Sequence, residues 1–215
     1  MPRRHAAADY DSSVFVNCPF DHAYAPLFEA IVFTIIHCGF TVRCALEVVD
    51  AGSTRIDKLY KLIENCRFGL HDLSRTEVDE HSQLPRFNMP FELGLFLGAK
   101  HYGIARHRTK QSLILDTEQY RYRKFLSDIA GQDVQEHKND RIKASSAVRD
   151  WLAASRSKSD IPLAGGQAIM RHFGEFESFL PAMLIAAQLE RSELGFFDLA
   201  NFMGQFLEER RTMTT

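Results

Sequence analysis

The 215-residue chain has no apolar run near the roughly 20 residues that span a bilayer, so no membrane segment is expected. It also lacks a dominant charge. Lys and Arg number 26 and Asp and Glu 28, for a formal net charge of −2. That balance excludes a global pull towards nucleic acid or an anionic membrane. Pro2-Arg3-Arg4-His5 runs into Ala6-Ala7-Ala8-Asp9 without the apolar centre of a secretory signal, and a cytoplasmic location is expected. Cys18, Cys38, Cys44 and Cys66 form no C-x-x-C pair and read as buried thiols in a reducing compartment. The nine histidines show no ligand spacing, so neither a metal nor a resident cofactor is expected. A G-x-x-x-x-G-K-S/T loop, a G-x-G-x-x-G turn after the first strand and a G-x-S-x-G elbow are all missing. The standard phosphate loops and the hydrolase elbow are thereby excluded.

What is present alternates. Val14-Phe15-Val16, Thr41 to Leu46, Arg67 to Ser74, Ser112 to Asp116 and Asp133 to His137 read as strands, the last at an edge. Helices are expected over Tyr24 to Cys38, from a Ser53 cap to Cys66, over 90–102, as a short basic-aromatic helix from Tyr120 to Ile129, and over Ile142 to Arg156. This alternation predicts an α/β fold, a flavodoxin-like parallel five-stranded sheet with helices on both faces. Residues 1–12 read as a flexible tail and 13–157 as the α/β domain. Residues 158–215 read as a helical extension with helices near 167–178, 181–190 and 196–210. Its many phenylalanines exceed what so short a segment buries alone, so it is expected to pack on the body or on a partner.

The stretch Phe87-Asn88-Met89-Pro90-Phe91-Glu92-Leu93-Gly94-Leu95-Phe96-Leu97-Gly98-Ala99 organises the chain. Pro90 predicts a helix start there, with Met89 as its cap and Glu92 in the first turn. The absence of a polar face predicts burial on most sides, and Gly94 and Gly98 predict close approach of a backbone or ligand. Glu92 is then either a helix-start carboxylate or the charged group of a site. As a site residue it is expected to be ionised by nearby backbone N–H groups.

In parallel α/β sheets, ligands bind outside the carboxyl ends of the strands. Asn17, Cys18, Pro19, Phe20 and Asp21 follow the first strand, Glu47 and Asp50 the second, and Asp72, Ser74 and Arg75 the third. Asp72 either shares a pocket with Glu92 for glycosidic chemistry or braces its loop. Arg55, after Gly52-Ser53-Thr54, either holds an anion at a helix start or only follows a cap. Arg121, Arg123 and Lys124 with Tyr120 and Tyr122 either touch nucleic acid or form a solvated face. The charge balance favours the solvated face, and nucleic acid is not expected as a partner.

Tyr10 to Asn17 with Asp21, Ile56 to Ser74, and Glu92 at the opening of a helix together resemble Toll/interleukin-1 receptor (TIR) domains. Asp72-Leu73-Ser74 followed by Asn88 to Ala99 also resembles nucleoside 2-deoxyribosyltransferases, with Asn88 nearest to their upstream aspartate. The look is closest to bacterial TIR-like proteins of anti-phage defence and covers roughly residues 10–155. The resemblance implies an N-glycosidase acting on NAD as substrate, by hydrolysis or by synthesis of a signalling nucleotide. Glu92 would be catalytic, and Phe20 and Phe91 are candidates for stacking on a ring. The alternatives are a deoxyribosyltransferase-like enzyme with Glu92 as nucleophile, or a non-catalytic nucleotide-binding scaffold. Expected partners are a nucleotide, a further copy of the chain or a defence protein.

Overall fold

The structure, a computed structural model, describes residues 9–47, 52–76, 84–157 and 160–213. Asp50 and the tail before residue 9 lie outside the described residues. The chain forms two compact units: residues up to Tyr24 with Phe40–Lys138, and Ala25–Gly39 with the chain from Asn139 onward.

The first unit carries the sheet. Its strands are β1 (Ser13–Asn17), β2 (Thr41–Cys44), β3 (Phe68–Asp72), β4 (Gln111–Asp116) and β5 (Val134–Glu136). All pairings are parallel and the order is β2-β1-β3-β4-β5, the flavodoxin-like order. β1 and β3 are buried at every position, as continuous apolar runs in parallel sheets are. Helices α2 (Arg55–Glu64) and α3 (Asn88–Tyr102) belong to this unit. Leu59, Leu62 and Ile63 of α2 meet Phe15 of β1 and Phe96 of α3 in one apolar cluster. Gly69 of β3 is where close approach is required. A Cβ there would lie 2.7 Å from the Phe96 ring, so glycine sets how closely α3 lies on the sheet.

The second unit is helical: α1 (Ala25–His37), α4 (Arg141–Ala154), α5 (Gly166–Ala187) and α6 (Phe196–Met213). Phe33 of α1 lies 5.2 Å from the Phe173 ring, 5.8 Å from Phe176 and 6.3 Å from Phe206. The phenylalanines of the C-terminal segment thus share a core with α1. Thr34 and Ser145 add one buried hydroxyl pair, at 2.8 Å.

Several local expectations are corrected. Thr54, rather than Ser53, caps α2, its hydroxyl accepting from the Asp57 N–H. α3 starts at Asn88, so Glu92 is its fifth residue and lies beyond the first turn. Only Met89, Glu92, Leu93 and Phe96 of α3 are buried, so the helix is one-sided rather than buried all round. A Cβ on Gly94 or Gly98 would meet nothing within 4 Å, so neither glycine serves a close approach among the described residues. The segment Tyr120 to Ile129 forms two short 3-10 turns around buried Tyr122 instead of a helix. α5 runs unbroken through Pro181 because its buried stripe, Phe173, Phe176, Leu180 and Leu184, continues past it. That burial offsets a lost backbone hydrogen bond and ring clash of about 3 kcal/mol. Residues 9–12 of the expected loose tail are held, since the Tyr10 hydroxyl donates to the Arg106 carbonyl at 2.9 Å.

Candidate active site

The carboxyl ends of the strands bring together Asn17, His71, Asp72 and Asp116, with His137 just beyond β5. Asn17 ends β1, and its Nδ2 donates to the Met89 carbonyl at 2.9 Å and to Nδ1 of His71 at 3.1 Å. It thereby ties the sheet to the first turn of α3, three residues before Glu92. Burial pushes His71 down to about 3, with the Lys110 charge adding to the effect, so its ring is neutral and serves as an acceptor.

Asp72 is fully buried and fully used. Oδ2 accepts from the Tyr24 hydroxyl at 2.5 Å and lies 3.0 Å from His137 Nε2, while Oδ1 accepts from the Ser74 N–H at 2.8 Å. Burial alone would raise its pKa, but His137, Tyr24 and Ser74 together outweigh burial and hold it below the usual value. Beside it, Oδ1 of Asp116 accepts from Arg121 Nε at 2.8 Å, and Arg121 Nη2 donates to the Leu73 carbonyl at 2.6 Å. This corner locks the ends of β3 and β4. It also corrects the reading of the basic-aromatic cluster: Arg121 points inward, and Arg123 lies over the Tyr120 ring at 4.5 Å.

Glu92 is the opposite case. It is only 5 % exposed, and among the described residues neither oxygen has a hydrogen-bond partner. Its nearest cation is Arg55, with Nη2 at 4.0 Å and the arginine side chain 68 % exposed. Burial pushes Glu92 up to about 7, against a smaller lowering by Arg55. The expected first-turn N–H stabilisation is absent because α3 begins two residues earlier than its proline suggests. Arg55 also lines a hollow of about 350 Å³ with Phe20, Ala45, Leu46, Lys58 and Leu59. Arg55 and Phe20, both expected site residues, thus line one hollow.

The remaining candidates divide. Cys18 is buried within electrostatic reach of both Asp72 and Glu92. Burial first, then the Asp72 charge, drives its thiol well above the ordinary value, so it is a neutral wall rather than a nucleophile. Pro19 is buried beside it. Asp21 accepts from the Tyr24 N–H at 2.9 Å and faces Arg75 at 3.5 Å. Glu47 is occupied by Arg43, whose Nε donates to both of its oxygens at 2.7 and 2.9 Å. Ser74 is buried, and its Oγ has no partner among the described residues. Asn88 opens α3 on the solvent side, and Phe91, one residue and about 100° round the helix from Glu92, is exposed.

Tyr24, His137, Asp116 and Lys110 were not singled out from sequence. Nothing local marks the first three, whose partners are remote. Lys110 is a buried amine that donates to the Ile63 and Cys66 carbonyls and closes the end of α2. Burial holds it down at about 8. Its place just before a strand, among polar neighbours, gave no signal of burial.

Among the described residues no His, Cys, Asp or Glu cluster is arranged to hold a metal ion, and no helix is long and apolar enough to cross a membrane. No family model, curated protein or solved structure matches this chain.

Proposed function

We propose that the protein is a nucleotide N-glycosidase that cleaves the nicotinamide–ribose bond of NAD, by hydrolysis or in making a signalling nucleotide, in anti-phage defence. One observation carries the reading: Glu92 is a buried carboxyl without a hydrogen bond among the described residues, poised near neutrality, with Arg55 linking it to an open hollow. An isolated carboxyl of this kind is costly to fold and characteristic of sites. The resemblance to TIR-like proteins supplies the substrate class.

In this mechanism the nicotinamide ring arrives as a pyridinium cation, and its charge favours the ionised form of Glu92. The carboxylate stabilises the positive charge that develops at the anomeric carbon as the C–N bond breaks. Nicotinamide departs neutral, water or another nucleophile adds to the ribosyl carbon, and the proton goes to solvent. Arg55 and Lys58 offer cationic groups to the pyrophosphate, and Phe20 offers a ring face. Asp72 keeps the floor of the site in place without touching substrate.

The test is incubation of the purified full chain with NAD and, separately, with deoxynucleosides, while following base release. Nicotinamide release from NAD supports the proposal. Base release from deoxynucleosides alone would move Glu92 to a nucleophile's role, and release from neither, with nucleotide still bound, would make the protein a binding scaffold.

A further inference from the structure

The solvent side of α3 is unusual for an exposed helix. At 3.6 residues per turn, Phe87, Phe91, Gly94, Leu95, Gly98 and Tyr102 fall within about 60° of one line. No charged residue interrupts that line over four turns. Phe87 is 63 % exposed, Phe91 54 % and Tyr102 86 %. At the middle of the stripe, Gly94 and Gly98 face open space. Glycine inside an exposed helix weakens it relative to alanine, and no contact among the described residues explains either one.

We infer that this face of α3 pairs with the same face of a second copy of the chain, antiparallel about a two-fold axis near Phe96. That register sets Gly94 of one copy against Gly98 of the other on both sides of the axis, so the helix backbones approach closely. It sets Phe91 of each copy beside Tyr102 of its partner, giving two aromatic contacts at the ends of a flat centre. The patch is self-complementary, as an isologous interface requires. Antiparallel helices also oppose their dipoles favourably. The His101 ring lies edge-on to Tyr102 at 4.6 Å and helps hold it in place.

The area fits a second copy. An aromatic side chain buries about 150–250 Å² when covered, so the three exposed rings alone offer about 400 Å² per protomer. A standard interface takes about 800 Å² per partner. The rings supply half of that before Leu95, the glycine backbones and flanking residues are counted. The expected result is a reversible dimer rather than an obligate one.

Sedimentation velocity of the full chain from about 1 to 200 μM should show a monomer–dimer equilibrium. Gly98→Gln separates the helices while improving helix propensity. It should weaken dimerisation at least tenfold and keep or raise the thermal midpoint of the monomer. Tyr102→Lys should weaken it similarly from the other end of the stripe. A monomer at every concentration overturns the inference, as does a dimer that neither substitution weakens. Binding of a monomer to phosphatidylserine-containing vesicles through this face would give the stripe to a lipid surface and would also overturn it.

Discussion

Asp72 and Glu92 belong to the same unit, and both are buried carboxyls. Their surroundings differ. Asp72 has a hydroxyl, an imidazole and a backbone N–H around it, and its pKa lies below the ordinary value. Glu92 has one guanidinium at 4.0 Å and is pushed up to about 7. Burial is the first cause acting on each, so burial does not separate them. Satisfaction does. A carboxylate whose acceptors are all used is part of the frame, and a new ligand has nothing to offer it. A carboxyl left without a hydrogen bond keeps its capacity to interact, at a standing cost to the stability of the fold.

The sharpest way to break this comparison is to remove the Asp72 charge. Asp72→Asn leaves the buried Tyr24 and His137 facing an amide, and breaking such an arrangement costs about 3–5 kcal/mol. Denaturant unfolding at pH 7 should show a lower midpoint with an unchanged slope. The pKa of Asp72 is depressed in the fold, so its contribution is present above the unfolded carboxylate pKa and is lost as pH falls through the folded value. The difference between Asp72→Asn and the parent should therefore shrink in acid. An equal midpoint at pH 7 would remove Asp72 from the frame.

Glu92→Gln should have the opposite character. Activity on NAD should fall at least about 100-fold in kcat, the scale of losing one preorganised electrostatic group. Stability should rise instead of falling. The folded pKa of Glu92 is raised from 4.5 to about 7. Its favourable contribution is present below the unfolded pKa and is lost as pH climbs through about 7. Glutamine mimics the neutral form, so at pH 8 the variant should gain at most about 3 kcal/mol, and little at pH 4. In the parent, kcat/KM should rise through about pH 7 as Glu92 ionises. A variant that is active, or less stable at pH 8, would return Glu92 to a structural role.

The smallest effect belongs to Arg55. Because its side chain is mostly exposed, solvent screens its charge, and Arg55→Ala should leave the melting midpoint nearly unchanged. KM for a phosphorylated substrate should rise roughly fivefold, the scale of one exposed ion pair, and more than for a bare nucleoside. Equal effects on both would leave Arg55 outside the ligand.

Much of the frame was legible because its causes are local. The β-branched and aromatic runs at Val14 to Val16 and at Ser112 to Asp116 became β1 and β4. The α2 stripe of Leu59, Leu62 and Ile63 is buried as its spacing implied. Pro90 misled because proline is tolerated anywhere in the first turn, and α3 takes it as its third residue. Pro181 misled for a different reason, since an apolar stripe on both sides of it kept α5 whole. Gly94 and Gly98 promised close approach of a backbone or ligand, and among the described residues of this chain that requirement falls on Gly69 instead.

By itself the sequence determined the alternation of strands and helices, hence the parallel sheet, and it marked Glu92 as a lone carboxylate in an apolar run. Which carboxyl is satisfied was decided only in three dimensions. Tyr24 reaches Asp72 across 48 residues of chain, and Arg55 reaches Glu92 from another helix. A pKa depends on desolvation and on the charges and donors within a few ångströms, and neither is a property of neighbouring residues along the chain.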